Sequence, residues 1–394
     1  MKPARFLEGV RMMRFRDVFG RHERGGLSQL EAAELLGISD RTFRRWIDRF
    51  EESEEAGLRD RRLGKPSAKR VPAADAAKVA RLYRERYLGF TAKHFHEHLV
   101  DDHDFRWGYT WTKTFLHKLG LLQRAPRRGA HRRKRERRPM AGMMLHQDGS
   151  QHRWIPGLPG ELDLIVTMDD ASNEIYSAFL VEEEGTWSSF RGLADVFAAK
   201  GLPCSLYTDR GSHYFVTPKA GEPVDKENLT QVGRALRQLG VEHIPAYSPE
   251  ARGRSERMFA TLQGRLPKEL QLAGITDIDA ANRFIAERFL PRFNRRFMVP
   301  PTVQASAFVK ARPEQWRDVL CVQEDRVVDN DNTVSYRTMS LQIPKTVGRP
   351  HFVRTKVRVH HYADGTLAVF HGPRCLARFS DQGLPSEETQ ARAA

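Results

Sequence analysis

The sequence predicts a multidomain α/β protein: helical modules in front, a mixed sheet covered by helices in the middle, and a small all-β barrel at the end. Three observations predict it. Residues 28 to 123 carry apolar residues at three- and four-residue spacing; residues 143 to 266 give three strand patterns and then alternate helix with strand. Beyond 327, short alternating runs are punctuated by turns at Asp331-Asn332 and Asp364-Gly365. At 394 residues the chain has ample length for two to four domains and at least one well-buried core. We divide it into a helix-turn-helix domain (1–58), a basic linker (59–72), a second helical domain (73–123), an arginine-rich linker (124–140), an α/β core (141–305), a β-barrel (306–380) and a polar, disordered tail (381–394).

In the first domain, Ser28 and Glu31 make a capping box, Ala33 and Leu36 mark an apolar face, and Gly37 breaks the helix. Ser39 then caps a second helix with Phe43, Trp46, Ile47 and Phe50 inward. That is a helix-turn-helix signature, and its second helix shows Arg41, Thr42, Arg44 and Arg45 where a recognition helix meets base edges and phosphates. In the second helical domain the segments are DAAKVARLYRERY, TAKHFHEHL led by Thr91, and TWTKTFLHKLGL led by Thr110. This is the outline of a further three-helix DNA-binding unit. Its cluster His94, His96, His98 and His103 suggests zinc, but alternate histidines diverge on a helix and no cysteine is near; we read a solvated or DNA-facing stripe. The block RAPRRGAHRRKRERR, including Arg132, Arg133, Lys134 and Arg135, has no apolar face and reads as a segment that orders beside a polyanion.

The whole chain carries 65 Lys+Arg against 50 Asp+Glu, a formal charge of +15. Its pI is near 9.9. That excess favours a polyanionic partner, of which nucleic acid is the commonest. No apolar run approaches the roughly 18 residues of a spanning helix, and MKPARFLEGVRMMRFRDVF lacks the apolar stretch of a signal peptide, so we expect a cytoplasmic chain with no membrane partner. The three cysteines, Cys204, Cys321 and Cys375, form no CxxC pair and support neither a disulfide framework nor a thiolate metal site.

In the core, MMLHQDGSQHRWI, ELDLIVTMDD and EIYSAFLV read as three strands, WSSFRGLADVFAAKG as a helix, and LPCSLYTD as a short buried strand. LTQVGRALRQLG, VEHIPAY and the segment after YSPEARG complete the alternation. Three acids fall where such a fold brings residues together. Asp148 lies in the first strand beside Gly149. Asp209 ends a buried strand, where α/β sheets bind ligands, and the nearby Gly211 permits close backbone approach. Glu256 lies on the last helix at the border of its packed face (Phe259, Leu262, Leu266), in a stripe with Arg252, Ala260 and Gln263. Other acids have ordinary explanations. Asp169 and Asp170 precede a turn at Ser172-Asn173, and Glu250 suits the first turn of a helix. Asp163 alternates with Leu162 and Leu164 and stays open as an inward-facing acid.

The segments HQDGSQHRW, YTDRGSHYF and YSPEARGRSERMFATLQGRL resemble the three signature segments of the integrase-core family of DDE transposases, which includes bacterial insertion-sequence transposases and retroviral integrases. FNRRFMVPP is similar to the segment that follows the core in insertion-sequence enzymes. The resemblance covers roughly 140 to 305, with a looser likeness in front and behind. It implies a ribonuclease-H-like core in which Asp148, Asp209 and Glu256 are catalytic and bind two Mg²⁺ ions, with Mn²⁺ as a substitute. It also implies that double-stranded DNA, both transposon ends and target, is the partner, bound by a dimer or higher oligomer. Arg252, Arg254, Arg257 and Gln263 are then expected at the DNA. Asp209 and Glu256 are 47 positions apart, longer than the family's usual spacing, and the excess lies in VTPKAGEPVDKEN, which reads as a loop insertion. Two other readings remain at this stage: a DNA-binding regulator or decayed transposase without catalysis, and a nuclease that only hydrolyses.

Overall fold

The computed structural model describes residues 3–59, 70–123, 136–217, 223–225, 227–247, 249–345, 349–386 and 389; for 3–8 and 249–252 it describes backbone alone. The chain divides into two compact units, Met1–Val79 and Ala80–Ala394. Helices α1 (Pro3–Glu23), α2 (Gln29–Leu36) and α3 (Asp40–Leu58) form the first. The expected capping box closes in full: Ser28 Oγ accepts from Glu31 N at 3.3 Å and Ser28 N donates to Glu31 Oε2 at 2.7 Å. Gly37 ends α2 at φ 70°, a left-handed position that suits glycine, and Ser39 caps α3. Phe43 is fully buried with Trp46, Ile47 and Phe50 packed against it. Their partner is α1, which the sequence analysis does not anticipate; its Phe15 and Phe19 stack at 5.5 Å and fill the space between α2 and α3.

Helices α4 (Ala73–Glu85), α5 (Ala92–His103) and α6 (Tyr109–Lys118) follow. Thr91 caps α5 as expected, but α6 starts after Gly108, which offers no side-chain cap, so Thr110 lies within the helix. The histidine stripe requires correction. His94, His96 and His98 are 2%, 9% and 1% exposed, because α5 is covered on two sides. His96 meets Thr112 of α6 at 3.1 Å, while His94 and His98 face a core helix introduced below.

The core sheet contains β2 (Leu145–His152), β3 (Leu162–Asp169), β4 (Ile175–Val181), β5 (Ser205–Thr208) and β6 (Glu242–Pro245), and it follows a two-residue β1 (Met140–Ala141). Its order is β4-β3-β2-β5-β6. The first three strands are antiparallel, and β2, β5 and β6 run parallel, which is the expected mixed sheet. Helices α7 (Thr186–Ala199) and α8 (Gln231–Gln238) cover one face with Leu145, Leu206, Phe190 and Leu236. The other face takes α9 (Pro249–Leu272), α10 (Ile278–Phe284), a π-helical turn at Ile285–Phe289 and α11 (Leu290–Phe297). There Leu162, Leu164, Val166 and Met168, alternate residues of β3, pack on Met258, Phe259, Leu262 and Leu266 of α9.

After β7 (Val303–Ser306) and α12 (Pro313–Trp316), the C-terminal part holds β8 (Val322–Val327), β9 (Thr333–Tyr336), β10 (Met339–Gln342), β11 (Lys356–His361), β12 (Leu367–His371) and β13 (Arg374–Phe379). The expected barrel is an antiparallel sheet, β13-β12-β11-β8, sharing a core with the β9–β10 hairpin. Among the described residues β13 and β8 do not pair to close it. The start of the polar tail is anchored, since Ser386 N and Thr389 Oγ1 donate to Arg378 O at 2.9 and 3.0 Å. Cys204, Cys321 and Cys375 form no disulfide with one another. No described helix is long and apolar enough to cross a membrane.

Candidate active site

Strand register brings two of the three acids together. β2 and β5 are parallel neighbours, with Leu145 opposite Leu206 and His146 opposite Tyr207. The ladder ends there; continued by two residues it would put Asp148 level with Asp209, which lies one position beyond the end of β5. Asp148 is also opposite Val166, whose side chain belongs to the core beneath α9, so it faces the α9 side of the sheet. Asp148 is 8% exposed. Asp209 closes a tight turn by accepting from Gly211 N at 2.8 Å, and a Cβ on Gly211 would come within 3.0 Å of the same carboxylate oxygen. Glycine is the residue that permits that approach.

Tyr214 is buried beside Gln147 of β2. Its hydroxyl faces Gln147 Oε1 at 3.2 Å and Glu184 Oε1 at 3.4 Å. Burial pushes its pKa well above the ordinary value, and the negative charges of Glu184, Asp148 and Asp209 push it further. Glu184 is the acid the sequence analysis missed. A Cβ on Gly149 would lie 2.2 Å from Glu184 Oε2, so this carboxylate packs directly against the residue after Asp148. No local spacing singles it out of the run Glu182-Glu183-Glu184.

Glu256 lies on α9, and two contacts fix that helix along β2. Near its start, Arg254 Nη1 donates to Asp170 O at 2.9 Å and ion-pairs with the Asp170 carboxylate, while Asp170 N bonds Met144 O just before β2. Farther on, Gln263 donates to Ser150 Oγ at 3.1 Å. Helix and strand therefore run in the same direction. Glu256 is two turns before Gln263 on the same stripe, about 10 Å back along the axis. Asp148 is about 7 Å back from Ser150 on the same sheet face. Glu256 is exposed, at the border of the packed face, level with this part of β2. The three acids are not drawn tightly together: among the described residues, the one group of three metal-ligating atoms lying within 4.8 Å of one another belongs to His94, His98 and Glu269.

The remaining acids have structural partners. Asp169 is fully buried and accepts from Gly142 N, Ser172 N and Ser172 Oγ, which is the turn role expected of it. Asp170 accepts from His146 Nε2 at 2.8 Å and Arg138 N at 2.7 Å as well as pairing with Arg254. Burial opposes its charge, but these partners outweigh burial and hold its carboxyl well below the usual range. Asp163 accepts from Glu184 N at 2.7 Å and so fixes the loop that carries Glu184.

Of the cations expected at DNA, Arg41 and Arg45 are exposed on α3, Thr42 is half-buried with its hydroxyl on Ser39, and exposed Arg44 pairs with Asp40 at 2.7 Å. Arg257 is exposed, whereas Arg254 is turned inward to Asp170 and Gln263 to Ser150. Arg132, Arg133, Lys134 and Arg135 lie outside the described residues, as do the side chains of Arg252 and Glu250. The arginine-rich linker ends in the core: Arg137 Nη1 donates to Asn173 Oδ1 at 2.8 Å and Ala171 O at 3.1 Å.

Residues 21–77 match the family model described as winged helix-turn helix. A putative transposase, y4bF, of Sinorhizobium fredii (strain NBRC 101917 / NGR234) is 33% identical over 348 residues, 88% of this chain and 75% of that protein. A helix-turn-helix region ahead of a mixed-sheet core, with that degree of likeness, makes this chain a transposase. The transposase for insertion sequence IS1202 of Streptococcus pneumoniae is 30% identical over 236 residues, 59% of this chain and 50% of that protein. The chain belongs to the family of insertion-sequence transposases with an N-terminal winged helix-turn-helix and an integrase-core-like catalytic domain. Among solved structures it is similar to the HTLV-2 integrase catalytic core domain in complex with magnesium, dimeric form (15% identity, 38% of this chain, 88% of that chain, TM-score 0.29). It is also similar to a chain of the simian T-cell lymphotropic virus intasome in complex with PP2A regulatory subunit B56 gamma (14% identity, 74% and 91%, TM-score 0.33). The family assignment rests on the curated relatives.

Proposed function

We propose that this transposase binds the terminal inverted repeats of its element and carries out DDE-type DNA cleavage and strand transfer, with Asp148, Asp209 and Glu256 as its catalytic acids. The observation that carries the reading is the β2–β5 register, which continued by two residues would put Asp148 level with Asp209, on the sheet face covered by the Glu256 helix. The donor set fits hard divalent cations. All three residues offer carboxylate oxygen, and the negative charges of Glu184, Asp148 and Asp209 all raise the pKa of the buried Tyr214, a field that a bound cation would offset. Two bound Mg²⁺ ions, or Mn²⁺ in their place, would stabilise the attacking and leaving oxygens of an in-line phosphodiester displacement.

The chain's own groups supply placement. Asp148 is fixed on a central strand, Asp209 by its turn through Gly211, and Glu256 by a helix anchored at Arg254 and Gln263. In the proposed reaction, water attacks at the transposon end and frees a 3′-hydroxyl, and that hydroxyl then attacks target DNA. The domain division given above is part of the proposal: residues 20 to 123 bind the ends, exposed Arg41, Arg45 and Arg257 contact phosphates, and two chains or more assemble on DNA.

The test is a cleavage and strand-transfer assay on end-containing duplex with Mg²⁺. Asp148→Ala, Asp209→Ala and Glu256→Gln each abolish cleavage while DNA binding persists. Normal cutting by the glutamine variant overturns the assignment of Glu256. Cleavage without joined products makes the protein a nuclease, and binding without cleavage by the parent protein makes it a DNA-binding regulator.

A further inference from the structure

A second group of metal-ligating side chains lies well away from the candidate active site. His94 and His98 are four residues apart on α5 and share one face, with ring centroids 5.2 Å apart. Glu269 of α9 reaches both: its Oε1 is 2.6 Å from His94 Nε2 and 2.9 Å from His98 Nε2. The side chains are 2%, 2% and 12% exposed. Glu269 is thirteen residues beyond Glu256, about 20 Å along the helix, so this cluster is not part of the proposed reaction centre.

Four features distinguish it from an ordinary buried ion pair. The three ligand atoms converge within 4.8 Å from two helices that are far apart in sequence. Two imidazole nitrogens and one carboxylate are a donor set that Zn²⁺ takes readily. The far nitrogen of His98, Nδ1, is held by Asp102 Oδ2 at 2.5 Å, the outer carboxylate that typically orients a metal-bound imidazole. Finally, His94 and Glu269, with Glu97, Arg265, Arg292 and Arg296, line a cavity of about 20 Å³, room for one water beside the cluster. The surrounding acids are otherwise engaged. Glu97 pairs with Arg265 and Arg296, Asp101 with Arg292 and Arg296, and Asp102 approaches Arg292. Glu269 meets imidazoles instead.

We propose that His94, His98 and Glu269 form a structural Zn²⁺ site that pins α5 of the second helical region to α9, the helix carrying Glu256. The metal–ligand separations of about 2.0–2.2 Å need only a small outward shift of the three side chains from their present contacts. The site does not depend on the reaction proposed above.

The test uses the full-length chain, stripped with chelator and titrated with Co²⁺, whose tetrahedral complexes absorb in the visible. One Co²⁺ per chain should give that absorption, Zn²⁺ should displace it, and Zn²⁺ should raise the melting temperature. Glu269→Gln should lose the band, and Asp148→Ala should keep it, which separates this site from the candidate active site. Asp102→Asn, a change at a part-exposed residue, should weaken zinc binding by about 10- to 100-fold. A parent protein with neither band nor thermal shift overturns the proposal whatever the variants do, leaving a hydrogen-bonded His–Glu–His cluster. A band unchanged in Glu269→Gln also overturns it.

Discussion

Replacing Arg254 with methionine should loosen the joint between α9 and the sheet. Asp170 is 0% exposed at its side chain and Arg254 only 13%, so solvent screens the pair little. Removing one partner of a buried pair costs about 3–5 kcal/mol, because the other charge is left without compensation. Asp170 keeps His146 Nε2 at 2.8 Å and Arg138 N at 2.7 Å, which places the cost at the lower end, about 3 kcal/mol. That corresponds to roughly 100-fold in the equilibrium for local opening. Hydrogen exchange followed by mass spectrometry over 164–175 and 253–263 reads this directly. Arg257→Met, at an exposed position on the same helix, is the control and should change protection by less than about threefold. The reasoning fails if Arg254→Met changes exchange no more than that control, or if protection falls equally in α7 across the sheet. There is a pH consequence with a definite sign. A carboxyl whose folded pKa is depressed contributes stability above its unfolded value, and loses it as pH falls through the folded pKa. Without Arg254 the folded pKa rises, so the contribution is smaller and its loss is complete at a higher pH.

Two further outcomes follow from local geometry. Gly201→Ala puts a methyl 2.3 Å from the Val309 carbonyl oxygen at φ +109°, where backbone must move, so denaturant unfolding should show a loss of at least about 1–3 kcal/mol; a change under about 0.5 kcal/mol counts against it. His243 has its pKa lowered to about 3 by burial and then by the charge of His213, so it stays neutral in the fold while the unfolded chain takes up a proton below 6.5. Its stabilisation is complete above pH 6.5 and is lost as pH falls toward about 3, by up to about 1.4 kcal/mol per pH unit. His243→Asn should flatten the stability profile over that window relative to the parent, and parallel profiles would refute the assignment.

What could be read from sequence was what local chemistry determines. Ser28 with Glu31, Ser39 and Thr91 each cap a helix through a neighbour three residues away, and alternate apolar residues of β3 lie on one face as their period requires. The placement of Asp148 within β2 and of Asp209 one position beyond β5 was legible for a related reason: the place of each strand in the sheet follows from the order of elements. Glu184, α1 and the histidines were not, because their partners are remote. The face of α5 looked like a polar surface until Glu269, 175 residues from His94, covered it. The barrel failed similarly, since closure depends on whether the two outer strands meet.

The arginines show the same limit and its functional consequence. The net charge of +15 counts guanidinium groups without regard to where they point. Arg254 is bound to Asp170, Arg265 and Arg296 to Glu97, and Arg292 to Asp101, and all four arginine side chains are under one-third exposed. Those charges hold helices α5, α9 and α11 to one another or to the sheet, and their removal would be felt as lost structure. Arg41, Arg45 and Arg257 are exposed, and their removal would change the field outside the protein with little effect on the fold. Salt separates the two kinds, because counterion release depends on charges that meet phosphate. Basic composition therefore points to a polyanionic partner, while the set of arginines that can meet it is smaller than the composition suggests.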